Sequence, residues 1–172
     1  MWNEFFFSAP QLRRTPLGRG YLLMPSKIEE DAKTAAAWIA TALSSSGYRA
    51  DFSPESLWAL DRFFDEHSKN GQPRPGGLLA QDLGSRVFAL GAYVGEVILR
   101  HAGGAWEGRD EDAAAEINLT LRLRDGSEIW PVQRTMKRFK LGPEEGVAAY
   151  AAALGVAVGS APKPPRPWWR FW

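Results

Sequence analysis

The chain has 172 residues, a net charge of +1 and no cysteine. This length suits one domain, because folding at this size buries roughly 70% of the unfolded chain's surface. The balanced charge gives no global field of the kind that marks nucleic-acid binders, and the lack of cysteine excludes disulfides, thiolate nucleophiles and cysteine-based zinc sites.

Residues 1–25 are predicted to form an irregular arm with a short strand at Tyr21–Met24. An acidic residue precedes the short apolar patch Phe5–Phe7, so this stretch does not fit the pattern of a signal peptide. No apolar run approaches the ~20 residues that a membrane-spanning helix needs. We therefore expect a cytoplasmic protein.

Residues 26–154 are predicted to form a single α+β domain that opens with two amphipathic helices. Ser26, followed three residues later by Glu29, predicts a capping box at the start of the first helix. Ser53 and Pro54 predict the start of the second helix, because proline is favoured at the first helical position.

The third helix is predicted from about Leu79 to Ala102, after a loop at residues 70–77. It is apolar nearly all round, so we expect it to lie at the centre of the domain. Gly91 and Gly95 lie four residues apart and leave a strip without side chains. Because a glycine inside a helix costs ~1 kcal/mol relative to alanine, we expect either another element packed closely against the strip or a ligand resting on it.

The residues after this helix predict a small antiparallel sheet with one solvated face. A short strand is expected around Trp106, and residues 116–123 alternate between apolar and polar with period two. Asp125 and Gly126 form a strong hairpin signal, with a returning strand behind them.

Two short helices are predicted to close the domain, one opening at Pro131 and one running from Pro143 to Gly155. Residues 155–172 form a predicted tail rich in proline, tryptophan and arginine. The tail is expected to fold back onto the domain or to contact a partner, and contact with a membrane surface is the least favoured alternative. Its candidate contact residues are Trp168, Trp169, Arg170 and Trp172.

No compact catalytic or cofactor motif is present. The chain lacks a phosphate-binding loop, a dinucleotide-binding Gly-x-Gly-x-x-Gly and a Gly-x-Ser-x-Gly nucleophile elbow. Its two histidines, His67 and His101, lie in different predicted helices, and the acidic run 109–112 lacks the spacing of a calcium loop. The sequence therefore predicts no metal, no cofactor and no catalytic residue, and we favour a protein without enzymatic activity.

A candidate ligand or partner site comprises Tyr93, Glu96, Arg100 and Trp106. Glu96 and Arg100 are spaced i, i+4 in the favourable order, which predicts an ion pair on the helix surface. In a cleft, the same pair would be suited to binding a polar ligand or to proton transfer.

A candidate basic surface comprises Arg122, Arg124, Arg134, Lys137 and Arg138. It is expected to be a solvated face, or alternatively to meet an acidic partner or a phosphate backbone. The exposed strand face lacks the stacking aromatic residues of an RNA-binding sheet, so there is no strong case for nucleic acid.

A Gly-x-Tyr-x-Gly-Glu motif spans residues 91–96, and a Gly-Gly-x-Trp motif spans residues 103–106. Together with the surrounding residues 53–154, they give a chain that resembles a family of small uncharacterised bacterial domains. The resemblance implies a bacterial intracellular protein and brings no established activity, cofactor or catalytic residue.

Two classes of function follow from the sequence. The favoured one is a non-enzymatic protein-interaction or regulatory module, such as a toxin-neutralising protein, that binds another protein or a second copy of itself. The alternative is a small-ligand-binding protein or an enzyme with a pocket beside Gly91, Gly95 and Glu96.

Overall fold

The computed structural model describes residues 25–162, and over this range the chain has the predicted α+β fold. The predicted strand Tyr21–Met24 lies outside the described residues. The helices are α1 (Lys27–Ser45), α2 (Ser56–His67), α3 (Leu83–Ala102), α4 (Ala115–Asn118), α5 (Pro131–Leu141) and α6 (Val147–Ala153). The strands are β1 (Ser68–Lys69), β2 (Gln72–Pro73), β3 (Gly104–Glu107), β4 (Thr120–Leu123) and β5 (Glu128–Ile129).

Helix α3 is the centre of the fold and packs against α1 and α5. Every residue from Val87 to Gly95 is buried, as expected for a helix that is apolar nearly all round. The helix begins at Leu83, four residues later than predicted, because Asp82 has a left-handed backbone (φ 46°) and fully buried Leu79 belongs to a loop packed on the core. None of the helices in residues 25–162 is both long and apolar enough to cross a bilayer.

The first turn of α1 is capped from a distant part of the chain. The predicted capping box does not form. Instead, the Asp110 carboxylate accepts hydrogen bonds from the backbone N–H groups of Lys27 and Ile28, both at 2.9 Å. Glu29 accepts from the backbone N–H of Gly108 at 3.2 Å rather than from its own helix. The segment after β3 therefore satisfies the free donors at this helix start.

Helix α2 begins at Ser56, slightly later than the Ser-Pro motif predicts. Pro54 and Glu55 form a turn before the helix, and the Ser53 carbonyl accepts hydrogen bonds from both the backbone N–H and the hydroxyl of Ser56. After α2, strands β1 and β2 form a two-stranded hairpin where the sequence predicts only a loop.

The predicted sheet is antiparallel with the order β3-β4-β5, and its hairpin turn contains the expected Asp125 and Gly126. The predicted strand at residues 116–123 is wrong in its first half, because Ala115–Asn118 form the short helix α4. The carbonyl of Ala114 accepts from the backbone N–H groups of Ile117 and Asn118, both at 2.9 Å. Ile117 is consequently 43% exposed instead of facing the core.

The closing helix is also shorter than predicted. Pro143–Glu145 form a 3-10 turn, and the α-helix starts only after it and ends before Gly155, whose φ is +83°. Residues 156–158 stay on the domain, since Val156 and Val158 are buried and the indole N–H of Trp58 donates to the Val158 carbonyl at 3.0 Å.

Candidate functional site

Tyr93 is the most deeply placed residue of the predicted ligand site. It is fully buried, with its hydroxyl 2.7 Å from the Ser56 hydroxyl, and it accepts a hydrogen bond from the backbone N–H of Phe52 at 3.1 Å. Phe52 has a left-handed φ of 59°, and its ring packs on Tyr93 with the centroids 4.7 Å apart. Burial raises the pKa of the Tyr93 hydroxyl. Tyr93 thus fastens the turn before α2 to α3.

Glu96, Arg100 and Trp106 contact one another beside that turn. The Glu96 carboxylate is largely covered, accepts a hydrogen bond from the Trp106 indole N–H at 2.8 Å and lies 3.8 Å from the Arg100 guanidinium. The Arg100 guanidinium lies over the Phe52 ring, 3.8 Å from its centroid. The structure therefore confirms the predicted i, i+4 ion pair and adds two aromatic contacts that the helix pattern does not indicate.

The glycine strip of α3 is filled by protein side chains. A Cβ atom on Gly91 would lie 2.5 Å from the Cα of Val132, and a Cβ atom on Gly95 would lie 2.1 Å from Cη2 of Trp106. Real Cβ atoms do not approach other heavy atoms this closely, so both glycines are required by the packing of α5 and β3. The expected close approach of another element is confirmed, and it fills the space in which the alternative interpretation placed a pocket.

The five residues of the predicted basic surface have different environments. Arg122 is held between Glu107, at 3.0 Å, and Glu128, at 2.7 Å, across the three-stranded sheet. Arg134 forms an ion pair with Glu145. Two further members of the predicted surface, Arg124 and Lys137, are exposed.

Arg138 does not lie on a surface, which corrects its prediction as part of the basic face. Its side chain is 3% exposed and contacts the carboxylates of Asp61, at 3.0 Å, and Asp65, at 2.5 Å. The Asp61 carboxylate also accepts from the backbone N–H groups of Val147 and Ala148, at 2.9 and 3.0 Å. This buried ion pair joins α2, α5 and the start of α6, so Arg138 is a structural residue.

The structure contains a polar cluster at the end of α2 that the sequence does not predict. Nδ1 of His67 accepts from the backbone N–H of Leu78 at 3.2 Å, so the ring proton is assigned to Nε2, which lies 3.1 Å from the Tyr48 hydroxyl. That hydroxyl donates to Glu66. Burial lowers the pKa of His67, and burial with the nearby Glu66 carboxylate raises the pKa of Tyr48 to about 12. The cluster fastens the loop before α3 to α2.

An apolar groove lies between the first half of α3, the short helix α4 and helix α5. Its volume is about 240 Å³, and its surface is almost wholly apolar. The sequence does not predict this groove, because the alternation at residues 116–123 places Ile117 on the buried face of a strand. The apolar side chains that define the groove are Leu83, Val87, Phe88, Ile117, Met136 and Phe139.

The predicted contact residues of the tail, from Trp168 to Trp172, lie outside the described residues. Over residues 25–162, no group of three or more histidine, aspartate or glutamate side chains is placed to hold a metal ion. Comparison with models of known protein families, with curated proteins and with solved structures finds no match to this chain. The resemblance suggested by the two glycine motifs therefore stays a prediction.

Proposed function

We propose that this chain is a non-enzymatic protein-interaction module of the bacterial cytoplasm. Its binding surface is the apolar groove, which receives a peptide segment that presents adjacent large apolar side chains. The observation that carries the proposal is the groove itself, where three helices leave an apolar hollow on the surface with Ile117 43% exposed. An apolar hollow at the surface is the kind of pocket that receives a buried anchor side chain of a partner protein.

The size of the groove supports side chains as its occupants. A volume of about 240 Å³ is below the roughly 300–1,000 Å³ that small-molecule sites enclose. It suits the insertion of one or two large apolar side chains, and each that is fully buried contributes about 1.5–3 kcal/mol. Anchors of this type supply most of the affinity at protein interfaces.

The two surfaces predicted from sequence have less support. The space beside Gly91 and Gly95 is filled by Val132 and Trp106, and the Glu96 carboxylate is engaged by neighbouring side chains. Within the predicted basic face, three of the five cations already have acidic partners on the domain.

The experiment is a titration of two labelled peptides followed by fluorescence anisotropy. One peptide contains three consecutive phenylalanines, and its matched control contains three serines at the same positions. The protein is the full chain with Phe5–Phe7 replaced by serine, which removes its own run of three consecutive phenylalanines as a competitor. We expect the phenylalanine peptide to bind at least tenfold more tightly than the serine peptide.

Two neighbouring substitutions locate the binding surface. Met136→Lys places a charge in the groove, whereas Lys137→Met is the reverse exchange at an exposed position of the same helix. We expect Met136→Lys to weaken peptide binding at least tenfold and Lys137→Met to leave it unchanged, with circular dichroism showing that both variants fold. Equal binding of the two peptides, or equal effects of the two substitutions, would refute the proposed function.

A further inference from the structure

We propose that the groove is occupied in the free protein by the chain's own N-terminal segment, residues 1–24, which places Phe5–Phe7 against it. This inference rests on the proposed function, because it names the regulation of the same groove. A partner segment then binds by displacing an internal one.

The N-terminal segment joins the domain beside the groove. The described residues begin at Pro25, and the backbone of Lys27 and Ile28 is fixed by Asp110, so residues 1–24 are attached to the domain at this point. The surface hollow around this point is lined by Lys27 and Ile28 at one side and by Glu116 and Ile117 at the other. Glu116 and Ile117 also line the apolar groove. The hollow at the attachment point and the apolar groove therefore have these two lining residues in common.

The segment is long enough to reach any part of the groove. Phe7 and Pro25 are separated by 18 residue steps in the sequence, which span at most roughly 60 Å when extended. A domain of the size described has a radius of gyration of about 14 Å. The tether is therefore longer than the domain is wide, and binding within one molecule needs no particular conformation of residues 8–24.

The chemistry of the segment matches that of the groove. The first seven residues, MWNEFFF, contain four large aromatic residues and a single charge. Four aromatic side chains left in water would form an aggregation-prone patch, whereas each one buried in the groove contributes about 1.5–3 kcal/mol. Glu116 and Lys140 are the charged residues among those that line the groove, so its walls are otherwise suited to phenylalanine rings.

The aromatic C-terminal tail is less well placed for this role. Its first residues lie against α2, where Val158 accepts a hydrogen bond from Trp58 and Gly159 lies near Glu55. Helix α2 contributes no residue to the lining of the groove. The position of the attachment point thus favours the N-terminal segment over the C-terminal one.

Disulfide trapping in the full chain tests this inference, and the natural absence of cysteine keeps the background clean. Phe6→Cys is combined with Gly84→Cys, because Gly84 lines the groove, is exposed and has no atom within 4 Å of an added Cβ. The matched control combines Phe6→Cys with Ser45→Cys, an exposed position at the opposite end of α1. A third variant combines Phe171→Cys with Gly84→Cys. Oxidation to the disulfide is followed over time with a mild glutathione redox buffer, which accepts the two electrons and takes up the two thiol protons.

We expect the Phe6→Cys/Gly84→Cys pair to close within one molecule at least tenfold faster than either other pair, at a rate independent of protein concentration. Equal rates for the two Phe6→Cys pairs would overturn the inference. Faster closure from Phe171→Cys would assign the groove to the C-terminal tail, and bonds formed only between molecules would assign it to a second copy. None of these results refutes the proposed function, which the peptide titration tests separately. Failure of that titration together with fast disulfide closure would refute the proposed function and leave the contact of the N-terminal segment with the groove in place.

Discussion

Gly95→Ala tests whether the Gly-x-Tyr-x-Gly-Glu motif serves packing. The added Cβ would lie 2.1 Å from Cη2 of Trp106, so the indole ring has to move and its 2.8 Å hydrogen bond to Glu96 is lost. Overpacking a core costs about 1–3 kcal/mol and a lost hydrogen bond to a charged group about 1.5–3 kcal/mol, while the alanine regains ~1 kcal/mol of helix propensity. We expect the free energy of unfolding to fall by about 3 kcal/mol.

The same helix provides a matched control of opposite sign. Gly84→Ala adds a Cβ with no heavy atom within 4 Å, so the helix-propensity gain is not offset and stability should rise by up to about 1 kcal/mol. Gly91→Ala should resemble Gly95→Ala, because its Cβ would lie 2.5 Å from the backbone of Val132, which moves only if α5 moves.

Urea unfolding followed by far-UV circular dichroism measures all three variants. This probe is preferable to tryptophan fluorescence, because Trp106 itself is expected to move in Gly95→Ala. If Gly95→Ala were as stable as Gly84→Ala, the packing explanation of the motif would be refuted.

The buried ion pair and the histidine cluster give two further predictions. Asp61→Ala should lower the free energy of unfolding by about 3 kcal/mol in urea, at the lower end of the range for one member of a buried pair, because Asp65 stays on Arg138. Asp65→Ala, at a half-exposed carboxylate, should cost less than about 1 kcal/mol, and equal losses for the two would contradict this account. Burial lowers the pKa of His67, so just below pH ~6.5 the unfolded chain binds more protons than the folded chain. The contribution of neutral His67 to the free energy of unfolding is therefore complete above that pH. It is lost as the pH falls from there towards the pKa of His67 in the folded protein. The Leu78 backbone N–H donates to neutral His67, so its protection factor in hydrogen exchange should fall on acidification. We expect His67→Gln to abolish this pH dependence. A Leu78 protection factor that does not change with pH in the wild type would contradict this hydrogen bond.

The sequence predicted the features that depend on neighbouring residues. The apolar periodicity of α3, the Asp125-Gly126 hairpin and the ion pair between Glu96 and Arg100 are all local patterns, and the structure confirms them. The strip at Gly91 and Gly95 was correctly interpreted as a place of close approach, although the sequence did not identify what approaches it.

The features that the sequence did not predict depend on contacts between distant residues. Asp110 replaces the local capping box of α1 from more than eighty residues away. Arg138 looks like part of a basic helix face until Asp61, 77 residues earlier, is placed beside it. At Ile117 two local patterns compete, because a period-two alternation and a single helical turn fit the same four residues. The apolar groove exists because the helical turn forms.

The capping of α1 by Asp110 has a consequence for synthesis on the ribosome. Lys27 and Asp110 are separated by 83 residues, which take on the order of 4–17 s to translate at 5–20 residues per second. During that interval the first turn of α1 lacks its native acceptors and presents free N–H groups. The start of α1 is thus capped only after β3 and Asp110 have left the ribosome. Slow codons before Asp110 should therefore lengthen the time for which the apolar face of α1 is exposed to chaperones.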